Sequence, residues 1–280
     1  MGIKNYIKRG IKYIIYGVPN KEIKTDLYFL NPNERLKERV VLITGGGRGL
    51  GFCFAKKCIS EGATVIICGR NIETLKKAEA ELGEHCKSLA FDSAEAENFD
   101  RFIADAEKTV GKKIDSLICN AGISLHEGNF RNVSLEQFDS QMNINLKGTY
   151  FLCKSFVKYL ESKDEISGNI LIVSSERSKY CDTIPYGLTK SALNNFTQGL
   201  ASDVASEGIR VNAIAPGVTA SDMTGFSADG NLFAEWQATE RIYLPEEVSE
   251  TALFLLSDVS KCISGQIIVC DNGKYINRAY

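Results

Sequence analysis

The sequence predicts an α/β fold in which a doubly wound, seven-stranded parallel sheet forms a single domain. Seven short runs rich in β-branched residues alternate with longer segments of helical periodicity. The apolar runs are nearly unbroken, which is typical of strands buried on both faces of a parallel sheet. We find neither a linker nor a second pattern of this kind after residue 38, and we assign residues 38–280 to one domain.

Strands and helices alternate in strict order along this domain. The strand candidates read RVVLITG, ATVIICGR, CKSLAFD, KIDSLICNAG, GNILIVSS, IRVNAIAPG and QIIVCDNG. The helical segments between them are 51–60, 72–82, 94–110, 135–160, 185–206 and 246–256, and segment 223–244 lies outside the alternation. This order brings the carboxyl ends of the strands to one edge of the sheet, where ligands bind in folds of this kind.

The bulk composition excludes several classes of protein. The net charge of −2 gives no reason to expect nucleic-acid binding, and no apolar run reaches the roughly 18 residues of a membrane span. Nine scattered cysteines, two histidines and the lack of a CxxC pair argue against a zinc site, so we expect no metal. An odd, unclustered set of cysteines is typical of reduced thiols and predicts a cytoplasmic protein.

Residues 1–37 differ from the rest of the chain and form an N-terminal extension. Basic residues and isoleucines at helical spacing predict a partly basic amphipathic helix. These residues are Lys4, Lys8, Arg9 and Lys12, with Ile3, Ile7, Ile11 and Ile14. Such a helix could dock on the domain or a neighbouring subunit, could contact an anionic membrane surface, or could be a floppy extension. The sequence leaves these three alternatives open.

The stretch TGGGRGLG joins the first strand to the first helix and predicts a phosphate-binding turn. Its glycines allow backbone angles closed to other residues and let the main chain approach a ligand closely. The helix that follows contributes free N–H groups and the positive end of its dipole, which together suit a pyrophosphate. The spacing is TGxxxGxG, with Thr44, Gly45, Gly49 and Gly51, rather than the common dinucleotide pattern GxGxxG.

This spacing resembles that of the short-chain dehydrogenase/reductase family, in its short single-domain branch. Four further motifs follow in the order of that family, and the resemblance covers about residues 36–273. They are Asn120-Ala121-Gly122, Asn145 within NINLKG, the signature YxxxK from Tyr186 to Lys190 after the Ser174-Ser175 pair, and Pro216-Gly217. The resemblance implies a Rossmann-like fold that binds a nicotinamide cofactor.

Tyr186 and Lys190 are the strongest catalytic candidates. Residues four apart share one face of a helix, so both side chains project toward one cleft. A phenol with a pKa near ~10 exchanges protons poorly at neutral pH, and a neighbouring ammonium would favour the phenolate. The resemblance implies that Tyr186 is the general acid or base and that Lys190 holds the ribose hydroxyls. It also implies that Ser175, rather than Ser174, binds the substrate oxygen, and that the carbonyl of Asn145 holds a water of a proton relay.

The cofactor preference depends on the end of the second strand. Gly69 stands where NAD-preferring relatives carry an acid, so nothing there repels the 2′-phosphate of NADP. Arg70 and Arg48 can bind that phosphate with charge-assisted hydrogen bonds, which predicts NADP(H). The cofactor-binding residues expected in this way are Thr44, Gly45, Gly47, Arg48, Gly49, Leu50, Gly51, Arg70, Asp92, Ser93, Asn120, Ala121, Gly122, Tyr186, Lys190, Pro216, Gly217, Val218, Thr219 and Ser221.

We therefore predict an NADPH-dependent reductase that converts a carbonyl to an alcohol. The pattern is similar to that of 3-oxoacyl carrier-protein reductases and of sugar-alcohol dehydrogenases, and the sequence does not choose between them. The loops 123–128, 176–185 and 223–244 should form the substrate pocket. A non-catalytic NADP-binding scaffold is a second alternative. Family resemblance also implies a homotetramer or dimer, assembled through the helices at 134–160 and 185–206.

Overall fold

The computed structural model describes residues 33–276. The N-terminal helix expected within 1–37 lies almost entirely outside the described residues, and so do the last four residues of the chain. Within 33–276 the strands are β1 (Val40–Thr44), β2 (Thr64–Gly69), β3 (Cys86–Ala90), β4 (Ser116–Cys119), β5 (Gly168–Val173), β6 (Ile209–Pro216) and β7 (Ile267–Cys270). The helices are α1 (Gly49–Ser60), α2 (Ile72–Leu82), α3 (Phe99–Val110), α4 (Leu135–Gln141), α5 (Thr149–Glu161), α6 (Pro185–Val204) and α7 (Pro245–Leu256).

The seven strands form one parallel sheet in the order β3-β2-β1-β4-β5-β6-β7. Val40 lies opposite Thr64 in β2, while Ile43 lies opposite Ile118 in β4. The strand order therefore reverses between β1 and β4, which creates the crevice where ligands bind in such sheets. The predicted fold class is confirmed.

Apolar residues at successive positions of a strand point alternately to the two faces of the sheet and pack in two separate cores. Val40 and Leu42 of β1 pack in a core with residues of α3, α5 and α6, whereas Val41 and Ile43 pack in a second core with residues of α1, α2 and α7. All five residues of β1 are buried. Because both faces of the sheet carry helices, both side-chain directions must be apolar, and this explains the unbroken apolar runs of the sequence.

The structure differs from the sequence prediction in the long segment 135–160. A single helix was expected there, but α4 and α5 are separated by a π-helical turn, Met142–Gly148. Turns of this kind insert an extra residue per turn, and they occur frequently at functional sites. No helix within 33–276 is long and apolar enough to cross a membrane.

Candidate active site

The glycine-rich turn lies at the carboxyl end of β1 and depends on glycine at two kinds of position. Gly45 and Gly49 adopt left-handed backbone angles, with φ of 66° and 55°. At Gly51, a Cβ atom would lie 2.2 Å from the carbonyl oxygen of Gly45, so no other residue fits without moving the backbone. Arg48 caps α1 without any side-chain acceptor for the first N–H groups. These N–H groups are therefore suited to a ligand phosphate.

Thr44 and Asn120 join the ends of β1 and β4 beneath this turn. The Thr44 hydroxyl oxygen accepts from the backbone N–H groups of Asn120 and Ala121, each at 3.0 Å. In return, the Asn120 amide donates to the carbonyl oxygens of Thr44 at 2.9 Å and Gly45 at 3.1 Å. This reciprocal set of bonds fixes the spacing of the two strands at the point where the crevice opens.

A cleft of about 940 Å³ runs along the carboxyl edge of the sheet from this turn to the start of α6. Most of the residues expected from the sequence line it: Gly45, Gly47, Arg48, Gly49, Leu50, Arg70, Asp92, Ser93, Asn120, Ala121, Gly122, Ser175, Tyr186, Lys190, Pro216, Gly217, Val218, Thr219 and Ser221. Three others, Thr44, Gly51 and Asn145, are not among the residues that line it. Thr44 and Asn145 hydrogen-bond to residues that do.

Tyr186 and Lys190 lie on the first turns of α6, which begins with Pro185 at a position where a missing N–H costs nothing. The ammonium of Lys190 is 5.7 Å from the centre of the Tyr186 ring and donates to the carbonyl oxygen of Val173 at 2.8 Å. Burial lowers the pKa of Lys190 to about 8, because its charged form loses hydration. The two side chains thus meet at the end of β5, as the spacing of the YxxxK motif indicates.

The pKa of Tyr186 differs from the sequence expectation. Burial raises it above the ordinary value, and the negative charge of Glu176 adds to the increase. The Ser175 hydroxyl and the positive charge of Arg177 lower it by smaller amounts. A lowered pKa was expected from Lys190, but burial outweighs the favourable interactions.

Asn145 lies within the π-helical turn and is completely buried. Its amide donates to the carbonyl oxygen of Ile123 at 2.9 Å and to the hydroxyl of Thr189 at 3.3 Å. Its own amide oxygen accepts from the N–H of Ile123 at 2.8 Å. The side chain thereby ties the loop after β4 to the residue of α6 that precedes Lys190.

At the other end of the cleft, Arg48 and Arg70 lie near the carboxyl ends of β1 and β2. Arg70 is exposed, and among residues 33–276 it makes no hydrogen bond or ion pair. Arg48 pairs with Asp222 at 3.1 Å, and both side chains are about three-quarters exposed. Sequence reasoning missed Asp222, which directly follows the predicted nicotinamide contact at Ser221. The pair links the glycine-rich turn to the loop after β6 across the cleft.

At the opposite mouth of the cleft, Lys274 joins two residues of the loops expected to form the substrate pocket, Glu176 and Trp236, and no sequence pattern indicated Lys274. Lys274, beyond β7, donates to the carboxylate of Glu176 at 3.1 Å and lies 4.8 Å from the centre of the Trp236 ring. Glu176 follows Ser175, and Trp236 belongs to the segment 223–244 that was expected to cover the substrate. All three side chains line the cleft.

Nothing in the described part of the chain suggests a metal centre, since no group of three or more potential ligands occurs within 33–276. The residues instead fit a dinucleotide. The left-handed glycines leave room for a close approach of the backbone, and the uncapped start of α1 offers N–H groups to phosphate. The fold and the site define an oxidoreductase that acts on CH–OH or C=O groups with a nicotinamide cofactor.

Comparison with known proteins gives the same result. The sequence matches the model of the short chain dehydrogenase family over residues 39–231. A 3-oxoacyl-[acyl-carrier-protein] reductase of Chlamydia trachomatis is 32% identical over 245 residues, covering 85% of this chain and 98% of the relative. A gluconate 5-dehydrogenase of Gluconobacter oxydans is 32% identical over 247 residues, covering 83% and 93%. The chain therefore belongs to the short-chain dehydrogenase family.

Solved structures agree with this assignment. The crystal structure of a 3-ketoacyl-(acyl-carrier-protein) reductase from Brucella melitensis, complexed with NADH, matches with a TM-score of 0.80 at 27% identity. The match covers 86% of this chain and 100% of that one. A short-chain dehydrogenase/reductase from Mycobacterium ulcerans matches with a TM-score of 0.79 at 26% identity, covering 87% and 92%.

Proposed function

We propose that this protein is an NADPH-dependent reductase that converts a ketone to an alcohol, with Tyr186 as the general acid. The observation that carries the proposal is the meeting of Tyr186, Lys190 and Ser175 in the same cleft that the glycine-rich turn enters from its other end. A cleft of about 940 Å³ has room for a dinucleotide together with a small substrate.

The chain's own residues would divide the work as follows. Ser175 would donate a hydrogen bond to the carbonyl oxygen and stabilise the negative charge that develops there. Tyr186 would give its proton to the same oxygen, and Lys190 would hold the ribose hydroxyls while its charge favours the phenolate that remains. When bound, the nicotinamide supplies the hydride. Asn145 would keep the relay behind Lys190 in position through its bonds to Ile123.

Replacement of Tyr186 by Phe tests this mechanism. The change removes the hydroxyl alone, so we expect NADPH consumption with a panel of ketones to fall at least 100-fold, in line with about 10²–10⁴ for general acid catalysis. Binding of NADPH, followed by its fluorescence, should stay within about twofold of the parent protein because the phenol is not its main contact. Full activity of the Tyr186→Phe variant would refute the role given to the tyrosine.

The preference for NADPH rests on Arg48 and Arg70, together with Gly69 at the position of the usual acid. Removing both guanidinium groups, as Arg48→Ala with Arg70→Ala, should weaken NADPH binding at least tenfold, or about 1.4 kcal/mol, and leave NADH binding nearly unchanged. Arg101→Ala, at an exposed position of α3, is a matched control that should change neither NADPH nor NADH binding. A parent protein that already binds NADH more tightly would refute the preference.

The substrate proposed first is a 3-oxoacyl thioester or a similar ketone. Relatives named as 3-oxoacyl-[acyl-carrier-protein] reductases support it. A sugar or polyol dehydrogenase acting through the same residues is the second candidate, and the relative named gluconate 5-dehydrogenase and the charged side chains at the cleft mouth favour it. An NADPH-consumption assay over acetoacetyl thioesters, simple ketones and keto-sugars distinguishes the two.

We also propose that the protein is a cytoplasmic homotetramer or homodimer assembled through α4, α5 and α6. Apolar side chains on these helices are exposed in the single chain, among them Leu135, Tyr150, Phe151 and Leu188. Their exposure supports contact with a second subunit. Light scattering on the purified protein measures the mass directly, and a single subunit of 30.8 kDa would contradict the proposal.

A further inference from the structure

Glu176 is a buried carboxylate in the wall of the cleft. Its side chain is more than nine-tenths buried, and within the described part of the chain its Oε2 atom has no hydrogen-bond partner. A buried carboxylate oxygen without a donor is costly, so a retained one indicates strain, or a water, an ion or a ligand group that supplies the donor. Lys274 satisfies only the other oxygen, Oε1.

The carboxylate also lies beside the reacting groups. Glu176 directly follows Ser175 at the end of β5, and its charge acts on Tyr186: burial is the main cause of the raised pKa of the tyrosine, and the carboxylate contributes to it. Ser175, Glu176, Tyr186 and Lys274 line one cleft, so a substrate whose carbonyl oxygen contacts Ser175 and Tyr186 binds in the cleft whose wall contains the ion pair.

The chemistry of this ion pair limits which substrate group can contact it. The ammonium of Lys274 and the carboxylate of Glu176 cancel each other's charge, so an anionic group gains little net attraction and would meet the unpaired Oε2. An ester or thioester offers no proton to that oxygen. A hydroxyl group suits both partners, because it donates to a carboxylate and accepts from an ammonium.

From this arrangement we propose that Glu176 and Lys274 are specificity-determining residues that select a ketone bearing a hydroxyl group on the carbon next to the carbonyl. The proposal rests on the ketone reduction proposed above and makes its second candidate substrate class more specific. A site built to hydrogen-bond a hydroxyl discriminates strongly against the analogue that lacks it, because the buried polar groups are then left unpaired. Glu176 and Lys274 bind the substrate here and take no part in the proton transfer.

Trp236 offers a direct measurement, since it is the one tryptophan of the chain and lies 4.8 Å from the Lys274 ammonium. We would saturate the protein with NADP⁺, with which a ketone cannot be reduced, and titrate it with 3-hydroxy-3-methyl-2-butanone, whose tertiary hydroxyl cannot be oxidised, or with 3-methyl-2-butanone, while recording tryptophan fluorescence. These two ligands share one carbon skeleton. We expect the hydroxylated ketone to bind at least about tenfold more tightly, as hydrogen bonds to charged groups allow.

The double variant Glu176→Leu with Lys274→Met removes both charges, which avoids leaving one of them buried and unpaired. We expect its affinities for the two ketones to agree within about twofold, with NADP⁺ binding retained as evidence of folding. A matched control, Asp105→Leu with Lys108→Met, removes an exposed ion pair on α3 far from the cleft and should keep the tenfold difference. If the double variant loses NADP⁺ binding, the single variant Glu176→Gln is used instead. It should reduce the tenfold difference in affinity between the two ketones at least threefold.

Equal affinity of the parent protein for the two ketones would overturn the proposal. A preference for the hydroxylated ketone that persists unchanged in the variants of Glu176 and Lys274 would also overturn it. Failure of the proposed function has a different signature. In that case NADPH would not be consumed with either ketone, while the hydroxylated ketone would still bind more tightly to the NADP⁺ complex.

Discussion

Lys190 gives the most quantitative prediction, because its burial has a measurable effect on folding. The pKa of Lys190 falls from 10.5 in the unfolded chain to about 8 in the folded protein. The folded protein is therefore destabilised by about 3 kcal/mol at a pH where Lys190 is charged in both states. The unfolded state binds the proton more tightly, so this destabilisation is present in full below about pH 8. It disappears as the pH rises from about 8 toward 10.5.

Replacement of Lys190 by Met isolates this effect. The variant also loses the hydrogen bond to the Val173 carbonyl, but that loss does not depend on pH. The neighbouring Cys119 stays neutral, because its contact with Cys153 and its burial raise its pKa well above the ordinary range. The difference in unfolding free energy between the two proteins should therefore report the titration of Lys190 alone.

The assay is urea unfolding of both proteins in parallel at several pH values. The destabilisation by the charged lysine should fall from about 3 kcal/mol at pH 7 to about 1 kcal/mol at pH 10, so the parent protein should gain about 2 kcal/mol relative to Lys190→Met. Without its ammonium the variant should be inactive as a reductase. A difference that does not change with pH, or that changes in the opposite direction, would refute the reasoning.

Two further predictions concern the turn beneath the cofactor cleft. Gly51→Ala should destabilise the protein by about 1–3 kcal/mol and weaken NADPH binding, because the new Cβ would overlap the Gly45 carbonyl. The control Gly199→Ala in α6, where the Cβ would meet open space, should be neutral or stabilising by up to about 1 kcal/mol. Thermal unfolding of both variants and the parent protein measures the difference. Thr44→Val should lower the free energy of unfolding, measured in urea, by about 1–3 kcal/mol, because two backbone N–H groups lose their acceptor. An equal decrease in the exposed control Thr109→Val would contradict this explanation.

Much of the fold could be predicted from the sequence because its determinants are local. The apolar runs at Val40–Thr44 and the other strands identify a sheet buried on both faces, and the glycine spacing identifies the turn that follows the first strand. Tyr186 and Lys190 are four residues apart on one helix, so their meeting follows from helix geometry. Each of these inferences needs only a short stretch of chain.

The parts that could not be predicted depend on burial or on distant contacts. The pKa of Tyr186 was expected to fall, but it rises because the depth of burial is set by the whole packing around α6. The π-helical turn at Met142–Gly148 follows a periodicity that reads as one continuous helix. Glu176 and Lys274 are 98 positions apart, and no local pattern connects them.

Three buried polar residues, Thr44, Asn145 and Asp271, connect the regions after the carboxyl ends of strands to other segments. Thr44 joins β1 to the residues after β4, and Asn145 joins the loop after β4 to α6. Asp271, just beyond β7, accepts from the N–H groups of Gly273 and Tyr275, each at 2.9 Å, while its carbonyl accepts from Tyr243 of the segment after β6.

Asp271 bears on the proposed specificity because it fixes the turn that presents Lys274 to Glu176. The same residue holds Tyr243, so the segment that covers the cleft and the tail that carries Lys274 are attached to one point of the sheet. A cleft bordered by loops can then keep one geometry, since these segments are fixed by hydrogen bonds near the rigid strand ends. We therefore expect a substitution of Asp271 to alter substrate selection by displacing Lys274, although Asp271 itself is not proposed to contact the substrate.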